Sequence, residues 1–182
     1  MKAMETERLA LRPYTLDDVE DLHRVIYSDP EVCRPFCGKT KTPEEVREIV
    51  AYRMMQYKMG KFGCLAVIRK ADGALMGVVA LHNCLTWYLV FEDQDPRYNS
   101  LEVELAYAFG REYQKQGYAT EACRAVIEYA FTELRLRRIA YGVSKDNDNS
   151  WNLMMRLGFR PGRDLHPDGE NSRIGILDND RI

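Results

Sequence analysis

Residues 101–134 constrain the fold more than any other segment. "LEVELAYAF" alternates large apolar residues at Leu101, Val103, Leu105, Tyr107 and Phe109 with Glu102, Glu104, Ala106 and Ala108, the period of a strand. Ala119, Ala122, Cys123, Val126, Ile127, Ala130, Phe131 and Leu134 then recur at helical spacing and form one apolar stripe. Between them lies "REYQKQGYATEA", a strand-to-helix turn with one glycine, Gly117, and a small residue, Ala119, where the helix begins. A helix start offers unpaired backbone N–H groups and about half a positive charge, which suits a phosphate if no bulky side chain intervenes. Gln114 and Gln116 would add uncharged donors. A purely structural tight turn is the competing reading. Neither a Walker loop nor a G-x-G-x-x-G fingerprint occurs.

The rest of the chain predicts a mixed α/β domain, one sheet flanked by helices, over residues 1–182. "RLALRP" reads as a strand and "TLDDVEDLHRVIY" as a helix capped by Thr15. Thr42, Pro43 and Glu45 start a longer helix over "TPEEVREIVAYRMMQYKM". "FGCLAVI" and "ALMGVVAL" form a hairpin through Asp72-Gly73. Residues 82–100 read as a long connection, whose Trp87, Tyr88 and Phe91 either pack on the domain edge or line a pocket. After the central helix come a strand "RRIAYGV", a helix "NSWNLMMRLG" stopped by Gly158, a short strand at Phe159, the turn "HPDGEN" and a last strand "SRIGIL".

Net charge is −2 and the sequence pI about 6.0, without the basic excess of a nucleic-acid or membrane-surface binder. The charged N-terminus reads as neither a signal peptide nor a membrane span. Five cysteines, an odd number without framework spacing, suggest a reduced, cytoplasmic setting, with Cys64 and Cys123 as small core residues. "CRPFC" (33–37) raises a metal or redox pair, but no second Cys/His pair accompanies it, and no metal is expected. Monomer and homodimer both stay open.

"QKQGYA" matches the [QR]-x-x-G-x-[GA] loop of the GCN5-related N-acetyltransferases, the GNAT superfamily. "DNDNSWNLMMRLGF" resembles that family's N-x-x-S followed by a helix and a leucine-glycine-phenylalanine end, here Asn147, Ser150 and Leu157-Gly158-Phe159. "TERLALRPYTLDDVEDL" and "SDPEV" resemble the ribosomal-protein N-terminal acetyltransferase branch. The resemblance runs from about residue 5 to 178. It implies a GNAT fold: a mixed, mostly antiparallel sheet flanked by helices, with a V-shaped gap between two central parallel strands.

Acetyl-CoA would be the co-substrate. Its pantetheine arm would pair with the backbone of Tyr107, Ala108 and Phe109, and its pyrophosphate would rest on Gln114, Lys115, Gln116, Gly117, Tyr118, Ala119 and Thr120. Asn147 would contact the pantetheine arm or cap a helix. Ser150 would act at the leaving thiolate, cap a helix, or both. The tyrosine that serves as acid in some members falls at Met154. Glu104 would be the base, with Glu102 on the same strand face as a like charge; a solvated strand face is the alternative. The acceptor would be a primary amine, a protein N-terminus or a small amine such as a polyamine, aminoglycoside or amino-acid derivative. Met154 also motivates a second class, a weakly catalytic acyl-CoA-binding sensor.

Overall fold

The computed structural model describes residues 1–60, 62–85, 101–162 and 171–180. Its strands are β1 (Met4–Glu5), β2 (Leu9–Arg12), β3 (Gly63–Arg69), β4 (Leu75–Leu85), β5 (Leu101–Phe109), β6 (Arg138–Ser144), β7 (Arg160–Gly162) and β8 (Ser172–Asp178). Its helices are α1 (Val19–Leu22), α2 (Pro30–Cys37), α3 (Pro43–Met59), α4 (Tyr118–Thr132) and α5 (Asp148–Arg156). The strands form an eight-stranded sheet ordered β1-β2-β3-β4-β5-β6-β8-β7. β5 and β6 run parallel, with Glu104 opposite Ala140. The β1–β2, β2–β3, β3–β4, β6–β8 and β7–β8 pairs are antiparallel. This is the kind of sheet expected from the sequence, mixed and mostly antiparallel, with a parallel pair at β5 and β6.

Contacts between residues group the chain into two compact units: Met1–Leu81 with Ala106–Val126, and His82–Leu105 with Ile127–Ile182. In the first, Leu22, Ile26, Cys33, Val46, Val50, Cys64, Ala66, Val78 and Ala80 form a buried core. α3 starts where the sequence places it. The Thr42 hydroxyl accepts from the Glu45 N–H (3.3 Å), and the Glu45 carboxylate accepts from the Thr42 N–H (2.8 Å). Such a cap contributes about 1 kcal/mol. Cys64 and Cys123 are buried free thiols, and burial pushes the Cys64 thiol up to about 11. In the second unit Cys84, Ala140, Ile174 and Ile176 pack together.

Four local features differ from the expectations. β1 is a two-residue strand pairing with Leu11 and Ala10, too short to announce itself. The first helix changes pitch. A 3-10 turn, Leu16–Asp18, leads into α1, which continues as a π turn, His23–Tyr27, closed by the Ser28 N–H on the His23 carbonyl (2.8 Å). α2 has no counterpart among the elements that the sequence predicts. Asp29 caps it, accepting from the Glu31 N–H (2.9 Å), and Pro30 opens it, although Pro35 lies inside. Within it Cys33 and Cys37 are joined as a disulfide, against the reduced setting that the cysteine count suggests and in line with the redox pair that "CRPFC" raises. Trp87, Tyr88, Phe91 and the "HPDGEN" turn up to Glu170 lie outside the described residues. No helix among the described residues is long and apolar enough to cross a membrane.

Candidate active site

The first polar centre is the mouth of α4, within the first unit. After β5 the chain turns through Arg111–Tyr113 and enters the loop. Lys115 (φ 59°) and Gly117 (φ 84°) both take left-handed backbone, which bends the loop back onto the helix start. The first backbone bond of α4 runs from the Glu121 N–H to the Gly117 carbonyl (3.0 Å). The amides of Tyr118, Ala119 and Thr120 therefore precede the intrahelical ladder.

The two glutamines do not simply project as donors. Gln114 Nε2 donates to the Phe109 carbonyl (2.9 Å), and Gln116 Nε2 to the Glu112 carbonyl (2.7 Å). Each thus holds the loop in shape with one of its amide hydrogens.

Sequence reading missed the clamp behind this loop. Arg8 Nε pairs with Glu121 Oε2 (2.7 Å), Arg8 Nη1 donates to the Gln116 carbonyl (3.1 Å), and the guanidinium lies 4.4 Å over the Tyr118 ring. Glu121 also accepts from the Thr6 hydroxyl (2.5 Å) and the Arg8 N–H (2.9 Å). Burial opposes ionisation of Glu121, but these donors outweigh it and hold its carboxyl below the ordinary range. The helix start thus carries an acid whose charge is already answered, leaving its amides as the uncompensated feature. A β-carbon on Gly117 would meet Arg8 Nη2 at 3.3 Å, so the glycine keeps a tight cradle open. These residues fit an anionic diphosphate.

The second centre lies within the second unit. Glu104 faces Ala140 across the parallel β5–β6 pair, and its Oε1 would lie 3.4 Å from a β-carbon on Gly142. Two small residues on β6, Ala140 and Gly142, thus flank this carboxylate. Two positions upstream in the same register, Glu102 meets Arg138: Nε lies 3.1 and 3.0 Å from the two carboxylate oxygens, and Nη2 also donates to Oε1. Both side chains are about 10% exposed. Glu102, which the sequence places as a like charge on the face of Glu104, is thus held in a buried ion pair with Arg138.

α5 is capped by Asn147, whose Oδ1 accepts from the Ser150 N–H (3.1 Å). The Ser150 hydroxyl instead makes a hydrogen bond with the hydroxyl of Tyr141 on β6. Met154, at the family's tyrosine position, is fully buried. Tyr141 was not singled out from sequence: inside "RIAYGV" it reads as one more apolar strand residue.

A strand-loop-helix that bares its first amides, followed by a parallel strand and a short helix bearing Asn147 and Ser150, defines an acyl-group transferase of the GNAT kind. The chain belongs to this family: residues 8–160 match the model described as "Acetyltransferase (GNAT) domain". It is thus an acetyltransferase, in a family whose co-substrate is acetyl-CoA. It is similar to "Uncharacterized N-acetyltransferase p20" of Bacillus licheniformis, 27% identical over 183 residues, covering 98% of this chain and 93% of that protein. It is 36% identical over 88 residues to "Putative ribosomal N-acetyltransferase YdaF" of Bacillus subtilis (strain 168), covering 48% of this chain and 42% of that protein. Its fold matches the crystal structure of a GNAT-family acetyltransferase from Bacillus anthracis, with a TM-score of 0.77, 23% identity, and 97% and 98% of the two chains covered.

Proposed function

We propose that this chain acts as a single N-acetyltransferase domain that transfers the acetyl group of acetyl-CoA to a primary amine, with a protein or peptide N-terminal α-amine as the acceptor. The mouth of α4 carries the donor assignment. Three amides outside the helical ladder, a left-handed glycine and a neutralised first-turn acid favour a diphosphate at that point. The pantetheine amides would run along the backbone of Tyr107, Ala108 and Phe109, with Asn147 near the arm and Ser150 at the sulfur.

The acceptor assignment rests on proton chemistry. An α-amine with a pKa of about 7.7–8.0 is roughly a tenth neutral at pH 7, whereas a lysine amine at about 10.4 is almost wholly charged. A site whose only proposed base is one carboxylate suits the more acidic amine. The ribosomal description attached to one relative agrees with a protein N-terminus.

The test is a screen with acetyl-CoA against peptides beginning with Ala, Ser or Thr, polyamines and aminoglycosides. Time-dependent CoA release with the peptides is the expected result. Turnover with the small amines alone would reassign the acceptor, and acetyl-CoA binding without release to any amine would leave a sensor. With an active peptide, Glu104→Gln should lower kcat at pH 7 at least about tenfold, with acetyl-CoA affinity changed less than about twofold. An unaltered pH–rate profile would remove Glu104 as the base.

A further inference from the structure

The transfer reaction leaves one proton without a donor. When the amine nitrogen bonds to the carbonyl carbon and the carbon–sulfur bond breaks, the electron pair departs on sulfur. That sulfur must gain a proton, while the nitrogen loses one. Met154 has no proton to give. The Ser150 hydroxyl, as an isolated alcohol, is far too weak an acid to protonate a thiolate and keep the charge. A phenol is different: its ordinary pKa of about 10 lies within about 1.5 units of a thiol's 8.5. General acids work best when so matched.

We infer that Tyr141 is the proton source for the leaving sulfur, acting through the Ser150 hydroxyl as a two-step relay. This inference rests on the acetyl-transfer reading above. Its observation is the hydrogen bond between the two hydroxyls, one on β6 and one on the first turn of α5, in which either oxygen can be the donor. Tyr141 is 5% exposed, and its ring meets Phe159 edge-on with 6.2 Å between centroids, so the phenol is held in place. The Asn147 side chain caps α5 through the Ser150 N–H, so the helix start does not need the Ser150 hydroxyl. In the transfer step sulfur takes the Ser150 proton and Ser150 Oγ takes the Tyr141 proton. The proton lost by the amine passes through base and solvent and restores the phenol, so no net charge is created. Tyr141 is thus a positioning residue and proton reservoir for Ser150, one residue removed from the reacting atoms.

Three proteins test this with a peptide acceptor: Tyr141→Phe, Ser150→Ala and the double variant. Tyr141→Phe should lower kcat about 10²-fold with the acetyl-CoA KM within about twofold. Adding it to Ser150→Ala should cost almost nothing further, because the two hydroxyls act as a unit. Multiplicative losses, or a Tyr141→Phe rate equal to the parent's, would overturn the relay.

Because Tyr141→Phe removes a buried hydroxyl, a shape-conserving variant is the second arm. With 3,5-difluorotyrosine at position 141, the alkaline limb of kcat should move to lower pH, in step with the phenol titration followed by fluorine NMR. In the same spectra, saturating CoA should shift the fluorine resonance in the Ser150 protein and not in Ser150→Ala. A limb that stays put while the fluorine titrates, or a CoA shift indifferent to Ser150, refutes the relay. Turnover by the parent with an unimpaired Tyr141→Phe removes the relay alone. A parent that releases no CoA with any acceptor removes the transfer reading and the relay together.

Discussion

Gly117→Glu protein should bind acetyl-CoA about a thousandfold more weakly than the parent in calorimetry, while remaining folded. Two effects act together. Gly117 sits at φ 84°, where an L-residue costs about 1–2 kcal/mol, and its β-carbon would press on Arg8 Nη2 at 3.3 Å. That part is strain, partly relieved by movement of a flexible guanidinium end. The larger part is charge. A carboxylate about 4 Å from a diphosphate charge costs about 4 kcal/mol at an effective dielectric of 20, close to three powers of ten in affinity. Gly117→Ala separates the two, since it introduces the strain and not the charge. The alanine protein should show a melting temperature lowered by a few degrees and an affinity loss of about tenfold or less. The glutamate protein should melt near the alanine protein and bind far more weakly. Equal acetyl-CoA affinity in the parent and Gly117→Glu would remove the diphosphate from this helix mouth.

What could be read from sequence, and what could not, divides along the range of the interactions. α3 announces itself because Thr42, Pro43 and Glu45 act within one turn. The β3–β4 turn does so because Gly73 takes φ 73° at the Asp-Gly step. The turn into α4 is legible for the same reason: Gly117, at φ 84°, and Ala119 lie at the helix start, as their spacing in the sequence predicts.

α2 was hidden by Pro35, which reads as a helix breaker. A capped, eight-residue helix opened by Pro30 nevertheless accommodates it. The π turn was hidden because Val25, Ile26 and Tyr27 keep an apolar rhythm while the winding beneath them changes. The pairings that organise the second polar centre depend on register. Glu102 and Arg138 lie 36 positions apart, and Tyr141 and Ser150 lie on different elements. Only the parallel alignment of Glu104 with Ala140 makes Glu102 the neighbour of Arg138. Burial along β5 does not follow the expected alternation: Leu101 is exposed while Glu102 is buried. The sequence pattern does not say which of the two glutamates meets Arg138 on the next strand. Arg8 belongs with these cases: nothing in "TERLALR" indicates that its guanidinium closes on a loop 108 residues away.

The same ion pair sets the second large effect. Arg138→Met should lower the stability of the protein by about 3–5 kcal/mol, because Glu102 then loses the guanidinium that answers its charge in a site about 10% exposed. In a chain of 182 residues this corresponds to a fall in melting temperature of about 10 °C. Replacing both members, Glu102→Leu with Arg138→Met, should recover most of the loss at pH 7.5, since a buried apolar pair of similar volume carries no desolvation cost. A double variant as unstable as Arg138→Met alone would show that the arginine acts through packing of its stem and not through its charge. A stability effect at position 102 beside a turnover effect at position 104 would separate two glutamates that the strand pattern alone treats as equivalent.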